Sequence, residues 1–144
     1  MKTAYELIDK GDYWVLPLHG RFVTRCFVDS AFGIELWSKE DSFTIRIEGP
    51  FVFQETSKKY ELSAEEPTKL CQVLSILNTE VSSVLAFKKG RLWIAFSDER
   101  CISVDASPSH EAWEIFGGAD MRVISLPGGD LAVWGPQHGR GMEA

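Results

Sequence analysis

The 144-residue sequence has only three cysteines and three histidines. Cys26, Cys71 and Cys101 lie far apart, with no CxxC pair and no cysteine–histidine cluster, so a zinc site is not expected. An odd number of cysteines, each in an apolar or strand-like run, reads as buried, reduced thiols. Basic charge is also short: 15 Lys and Arg face 21 Asp and Glu, for a formal net charge of -6. Nucleic acid backbones and anionic membranes both need a basic footprint, so neither is an expected partner; the acidic balance suits a basic protein or serves solubility alone. No window approaches the length of a membrane span, and residues 1–10 contain no apolar stretch of signal-peptide length. These absences predict a cytoplasmic location. Catalytic signatures are missing as well: there is no GxSxG elbow, no HExxH and no P-loop. Gly117-Gly118 and Gly128-Gly129 lack the spacing and the following helix of a phosphate cradle, so no cofactor is expected.

What is present is a strand vocabulary. Residues 110–134 hold three apolar runs rich in Val, Ile, Phe and Trp, separated by Gly117-Gly118-Ala119-Asp120 and Pro127-Gly128-Gly129-Asp130. Glycine pairs supply the positive φ of tight turns, so this stretch reads as a three-stranded antiparallel meander. Earlier, Phe43, Ile45 and Ile47 alternate with Thr44, Arg46 and Glu48, and Phe32, Ile34 and Leu36 also fall on one side. In residues 21–29 the expected core face is Phe22, Thr24, Cys26 and Val28. Residues 81–87 and 91–96 flank a Gly-containing turn and form a hairpin, followed by another strand at 101–104. Residues 3–10 read as one helical turn or a loose lead-in.

One helix is expected. Ser63, Glu65, Glu66 and Pro67 suit a helix start, and Leu70, Val73, Leu74 and Leu77 recur as one apolar stripe that Asn78 ends. The fold class is therefore mainly β (α+β): a curled antiparallel sheet or sandwich of about ten short strands, with one covering helix near residues 66–77. Residues 1–134 form a single globular domain, and residues 135–144, with little to pack, form a flexible tail.

Several blocks carry a resemblance: Trp14-Val15-Leu16-Pro17-Leu18, the 45–51 segment, Glu111-Ala112-Trp113-Glu114, and Ser125-Leu126-Pro127-Gly128-Gly129-Asp130-Leu131-Ala132-Val133-Trp134. Over residues 12–134 the chain resembles a family of small uncharacterised bacterial proteins, a domain of unknown function. The resemblance implies a stand-alone, soluble, intracellular single domain and carries over no catalytic residue.

Two functional classes follow. The first is a non-catalytic protein-interaction module, such as a small acidic immunity or antitoxin-like protein. Its candidate binding residues are Trp37, Glu40 and Asp41 at the hairpin between the Phe32 and Phe43 strands, where an exposed aromatic sits beside acids. The alternative is a small-molecule-binding protein or an enzyme without a familiar signature, using a pocket between sheet and helix. There His110 beside Glu111 would supply an oriented base. Asp29, Glu35 and Glu48 sit on neighbouring strands and offer either metal ligands or cross-strand partners for Arg21, Arg25 and Arg46. Of the five tryptophans, Trp14, Trp113 and Trp134 read as core.

Overall fold

The computed structural model describes residues 6–118 and 120–139. Among the described residues, alternating apolar positions and frequent turns give fourteen short strands in two sheets. They are β1 (Leu7–Asp9), β2 (Tyr13–Val15), β3 (Arg25–Val28), β4 (Phe32–Trp37), β5 (Ser42–Ile47), β6 (Phe51–Gln54) and β7 (Lys59–Leu62). After two short 3-10 turns come β8 (Val81–Phe87), β9 (Leu92–Phe96), β10 (Cys101–Val104), β11 (Trp113–Gly117), β12 (Met121–Ser125), β13 (Leu131–Trp134) and β14 (Gln137–Gly139). The first sheet has the order β14-β1-β2-β8-β9-β10-β6-β7, and the second β13-β12-β11-β5-β4-β3. Every pairing is antiparallel except that of β1 with β14.

The two sheets close on one core. Phe43, Ile45 and Ile47 of β5 and Trp113 and Ile115 of β11 share a buried cluster with Val84, Ile94, Ile102 and Phe53 of the other sheet. Phe32 of β4 stacks on Phe51 of β6 with ring centroids 5.4 Å apart, which fixes how the layers meet. The chain crosses from one sheet to the other at Gly49-Pro50, where the proline interrupts β5 before β6 begins. The expected meander at 110–134 is present as β11, β12 and β13.

The covering helix is not. Residues 67–69 and 73–76 form separate 3-10 turns. The buried side chains are Leu70, Val73 and Ile76, whereas Leu74 and Leu77 are 40% and 42% exposed. The buried residues recur every third position, which is the period of a 3-10 helix, where residues i and i+3 eclipse. The Leu70-Val73-Leu74-Leu77 stripe is thus a misphased reading of a three-residue repeat. Asn78 does stop the segment, in the left-handed region at φ 66°.

Three smaller expectations also change. The core face of residues 21–29 is not Phe22 and Val28, which are exposed; Val23 is buried, and only Cys26 of the expected set packs on the core. Cys71 is exposed, while Cys26 is half-buried and Cys101 buried. Residues 7–9 are a strand, paired with β2 and with residues 137–139, the beginning of the expected tail. Residues 1–5 and 140–144 lie outside the described residues.

Candidate functional site

In the six-stranded sheet, period-two alternation sends one set of side chains into the core and the other to the outer face. The register then builds that face row by row. Trp134, Arg122, Phe116, Thr44, Glu35 and Arg25 stand side by side across all six strands. The adjacent row is Ala132, Ile124, Glu114, Arg46, Gly33 and Phe27. Trp37 ends β4, two residues along from Glu35 on the same face, paired with Ser42.

Three large aromatic side chains stand out from this face: Trp37 is 58% exposed, Trp134 51% and Phe116 37%. With strands about 4.8 Å apart, Phe116 is about 10 Å from Trp134 across the sheet, within one contact patch. The charges between them are paired. Arg122 donates to Glu114 Oε2 at 2.6 Å through Nε. Arg46 makes a bidentate pair with Asp29, both contacts 3.1 Å, and reaches Glu48 at 3.9 Å. Arg25 lies 3.5 Å from Glu35. The Arg46 guanidinium, with help from the Ala31 amide, holds the Asp29 carboxyl below its ordinary range, and Arg46 is raised in turn. Of the two roles open to Asp29, Glu35 and Glu48, pairing with arginine is the one formed, across strands for Asp29 and Glu35 and two residues along the chain for Glu48; among the described residues no group of three His, Cys, Asp or Glu could hold a metal. Phe27 lies over Gly33, flanked by Arg25 and Arg46 at 5.1 and 5.9 Å, so a side chain at position 33 would collide with its ring. The face is broad, aromatic and close to charge balance.

The hairpin residues divide. Trp37 and Glu40 are exposed, and the Trp37 amide donates to Thr24 Oγ1 at 3.2 Å. Asp41 instead turns inward, 2.7 Å from Arg21, whose guanidinium sits 4.5 Å from the Phe43 ring centre. The hairpin is closed by the Ser38 amide donating to the Asp41 carbonyl at 2.9 Å. Asp41 is therefore part of the fold's framework rather than of the open surface.

His110 and Glu111 are exposed and line a niche of about 130 Å³ with Glu48, Gly49, Pro50, Ser107 and Ala112. No tryptophan lines it, and with no α-helix among the described residues it does not lie between sheet and helix. Trp134, read as core from sequence, is on the surface, while Trp113 is fully buried and Trp14 half-buried. Phe116 was not singled out either. The signal lay in phase: Phe116 shares its parity with Glu114, and Trp134 is paired with Arg122.

The fold and this surface define a two-sheet β-protein with an aromatic, ion-paired outer face. The chain belongs to a family of unknown function, DUF6188, whose model matches residues 14–135. No curated protein and no solved structure matches the chain.

Proposed function

We propose that the protein is a non-catalytic interaction module that binds a partner protein through the outer face of its six-stranded sheet. One observation carries this reading: Trp37, Phe116 and Trp134 stand exposed on a single rigid face. Exposed tryptophans cost free energy in water and supply large desolvated area in a complex, which is why they dominate interface energetics. The paired Arg122–Glu114 and Arg46–Asp29 groups form the polar surround of such a contact. The net charge of -6 and exposed Glu40 fit a basic partner approaching by long-range attraction. A small acidic protein of this kind suits an immunity or antitoxin-like role, acting by masking a basic partner.

The test is affinity capture from a native extract with the wild-type protein beside Trp37→Ala and Phe116→Ala, each checked for unchanged melting. A protein retained by wild type and lost with both variants supports the reading. A retained protein insensitive to both places its binding surface elsewhere.

A further inference from the structure

The eight-stranded sheet has an outer face of its own, and its register builds two neighbouring rows there. One row is Leu85, Trp93, Ser103, Val52 and Glu61, running across β8, β9, β10, β6 and β7. The next row is Ser83, Ala95, Cys101, Gln54 and Lys59 on the same strands. Both point away from the core, because the alternate residues Val84, Ile94, Ile102 and Phe53 are the ones buried in it. A solvated sheet face ordinarily alternates to polar and charged side chains. Here neither row carries a charge from β8 to β6. Charge comes only on the edge strand β7, where Lys59 and Glu61 are exposed.

The two rows are complements of each other. The first is bulky at Leu85 and Trp93, where the second has Ser83 and Ala95. The first ends in an acid and the second in a base, two residues apart on one strand. A twofold axis across the strands, midway between the rows, lays the first row of one copy over the second row of another. Trp93 then meets Ala95, Leu85 meets Ser83, and Glu61 meets Lys59. Facing sheets stack about 10 Å apart, a spacing that bulky side chains opposite small ones can fill. An axis along either row would instead set Trp93 on Trp93 or Lys59 on Lys59. We infer that the outer face of the eight-stranded sheet binds a second copy of this chain in this twofold register. Five strands about 4.8 Å apart, over about 20 Å of their length, cover about 500 Å² per copy, which is near the lower limit for specific association. The dimer is therefore reversible. It uses the other sheet from the partner-binding face, and neither contact requires the other.

Sedimentation equilibrium of the intact protein, from about 1 to 500 µM, reads the association directly. Wild type should pass from monomer to dimer with a Kd on the order of 10–100 µM. Ser103→Arg places a charge in the middle of the face and should weaken association at least about tenfold with unchanged melting. Lys59→Glu should weaken it about threefold or more, and the exchange Lys59→Glu/Glu61→Lys should restore it, since the exchanged pair still meets across the axis. Both positions are exposed on an edge strand, so this arm does not depend on how the fold takes Ser103→Arg. A wild type that stays monomeric over the whole range overturns the inference. So does a dimer indifferent to Ser103→Arg, or an exchange variant that associates no better than Lys59→Glu alone.

Discussion

The Trp113 indole Nε1 donates to the carbonyl oxygen of Gly90 at 2.8 Å, tying β11 of one sheet to the β8–β9 turn of the other. Ser125 Oγ donates to the same oxygen at 3.0 Å, and both side chains are buried. Gly90 (φ 108°) packs so closely on Gly129 (φ 108°) that a Cβ on Gly90 would fall 2.7 Å from the Gly129 Cα. Turn meets turn here with no room for a side chain, and the layers are locked in register.

That shared acceptor predicts non-additive stability. Ser125→Ala should cost about 1 kcal/mol, because the Gly90 oxygen keeps its indole donor. Trp113→Phe should cost more, about 1–3 kcal/mol, through the lost bond and lost volume. The double variant leaves a buried carbonyl without a donor and should lose more than the two single effects combined. Urea melts of all four proteins check this; strict additivity would show that the oxygen finds water instead.

The three-residue burial repeat predicts unequal leucine and isoleucine effects. Ile76→Ala should destabilise by about 2–5 kcal/mol, since a fully buried side chain leaves a cavity. Leu74→Ala, at an exposed position, should change stability by no more than about 0.5 kcal/mol. The reverse order in denaturant melts would restore the continuous helix.

Asp41 and Glu40 are neighbours with different duties. Asp41→Asn disrupts a largely buried contact with Arg21 and should cost about 1–3 kcal/mol. Glu40→Gln should leave melting unchanged and slow association with a basic partner at low salt. Equal melting of both variants would contradict the inward placement of Asp41.

Acid should destabilise the protein through its paired carboxylates. Asp98 is held below its ordinary value of 3.8, first by its hydrogen bond to Arg100 and also by the Arg100 amide, against some desolvation. A folded pKa below the unfolded one gives stability that is present above the unfolded value and lost as pH falls through the folded one. Wild-type melting should therefore drop below about pH 4, and Asp98→Asn should show a shallower drop. Parallel melting curves for the two across that range would remove Asp98 from the acid response.

The cysteines should label one at a time. Cys71 is exposed, whereas burial pushes the Cys26 thiol up to about 11 and raises Cys101 as well. A thiol reagent at neutral pH should modify Cys71 quickly and the other two only in denaturant. Mass mapping of the first adduct to Cys26 or Cys101 would contradict this order.

Strand positions were legible because alternation is a local signal: the β4–β5 hairpin and the closing meander follow from Phe43-Thr44-Ile45-Arg46-Ile47 and from the glycine-pair turns. The helix was misread because Leu70, Val73, Leu74 and Leu77 satisfy a 3.6-residue period as well as Leu70, Val73 and Ile76 satisfy a period of three. Only tertiary packing decides between them. The site was half legible. Exposure of Trp37 follows from its place beside a polar turn, but its grouping with Phe116 and Trp134 needs the strand order, which brings β13, β11 and β4 into one sheet. Asp41 looked free because Arg21, twenty residues away, gives no sign in the sequence that it folds back over Phe43.

If the protein works as an interaction module, the outer face of the six-stranded sheet is covered by its partner in the cell extract. Hydroxyl-radical footprinting of the isotope-labelled protein, alone and in native extract, reads side-chain access residue by residue. Trp37, Phe116 and Trp134 should all be oxidised readily alone and protected together in extract, while exposed Leu74 and Leu77 on the other part of the surface stay unchanged. Unchanged oxidation of the three aromatics in extract, or protection centred on Leu74 and Leu77, would contradict it.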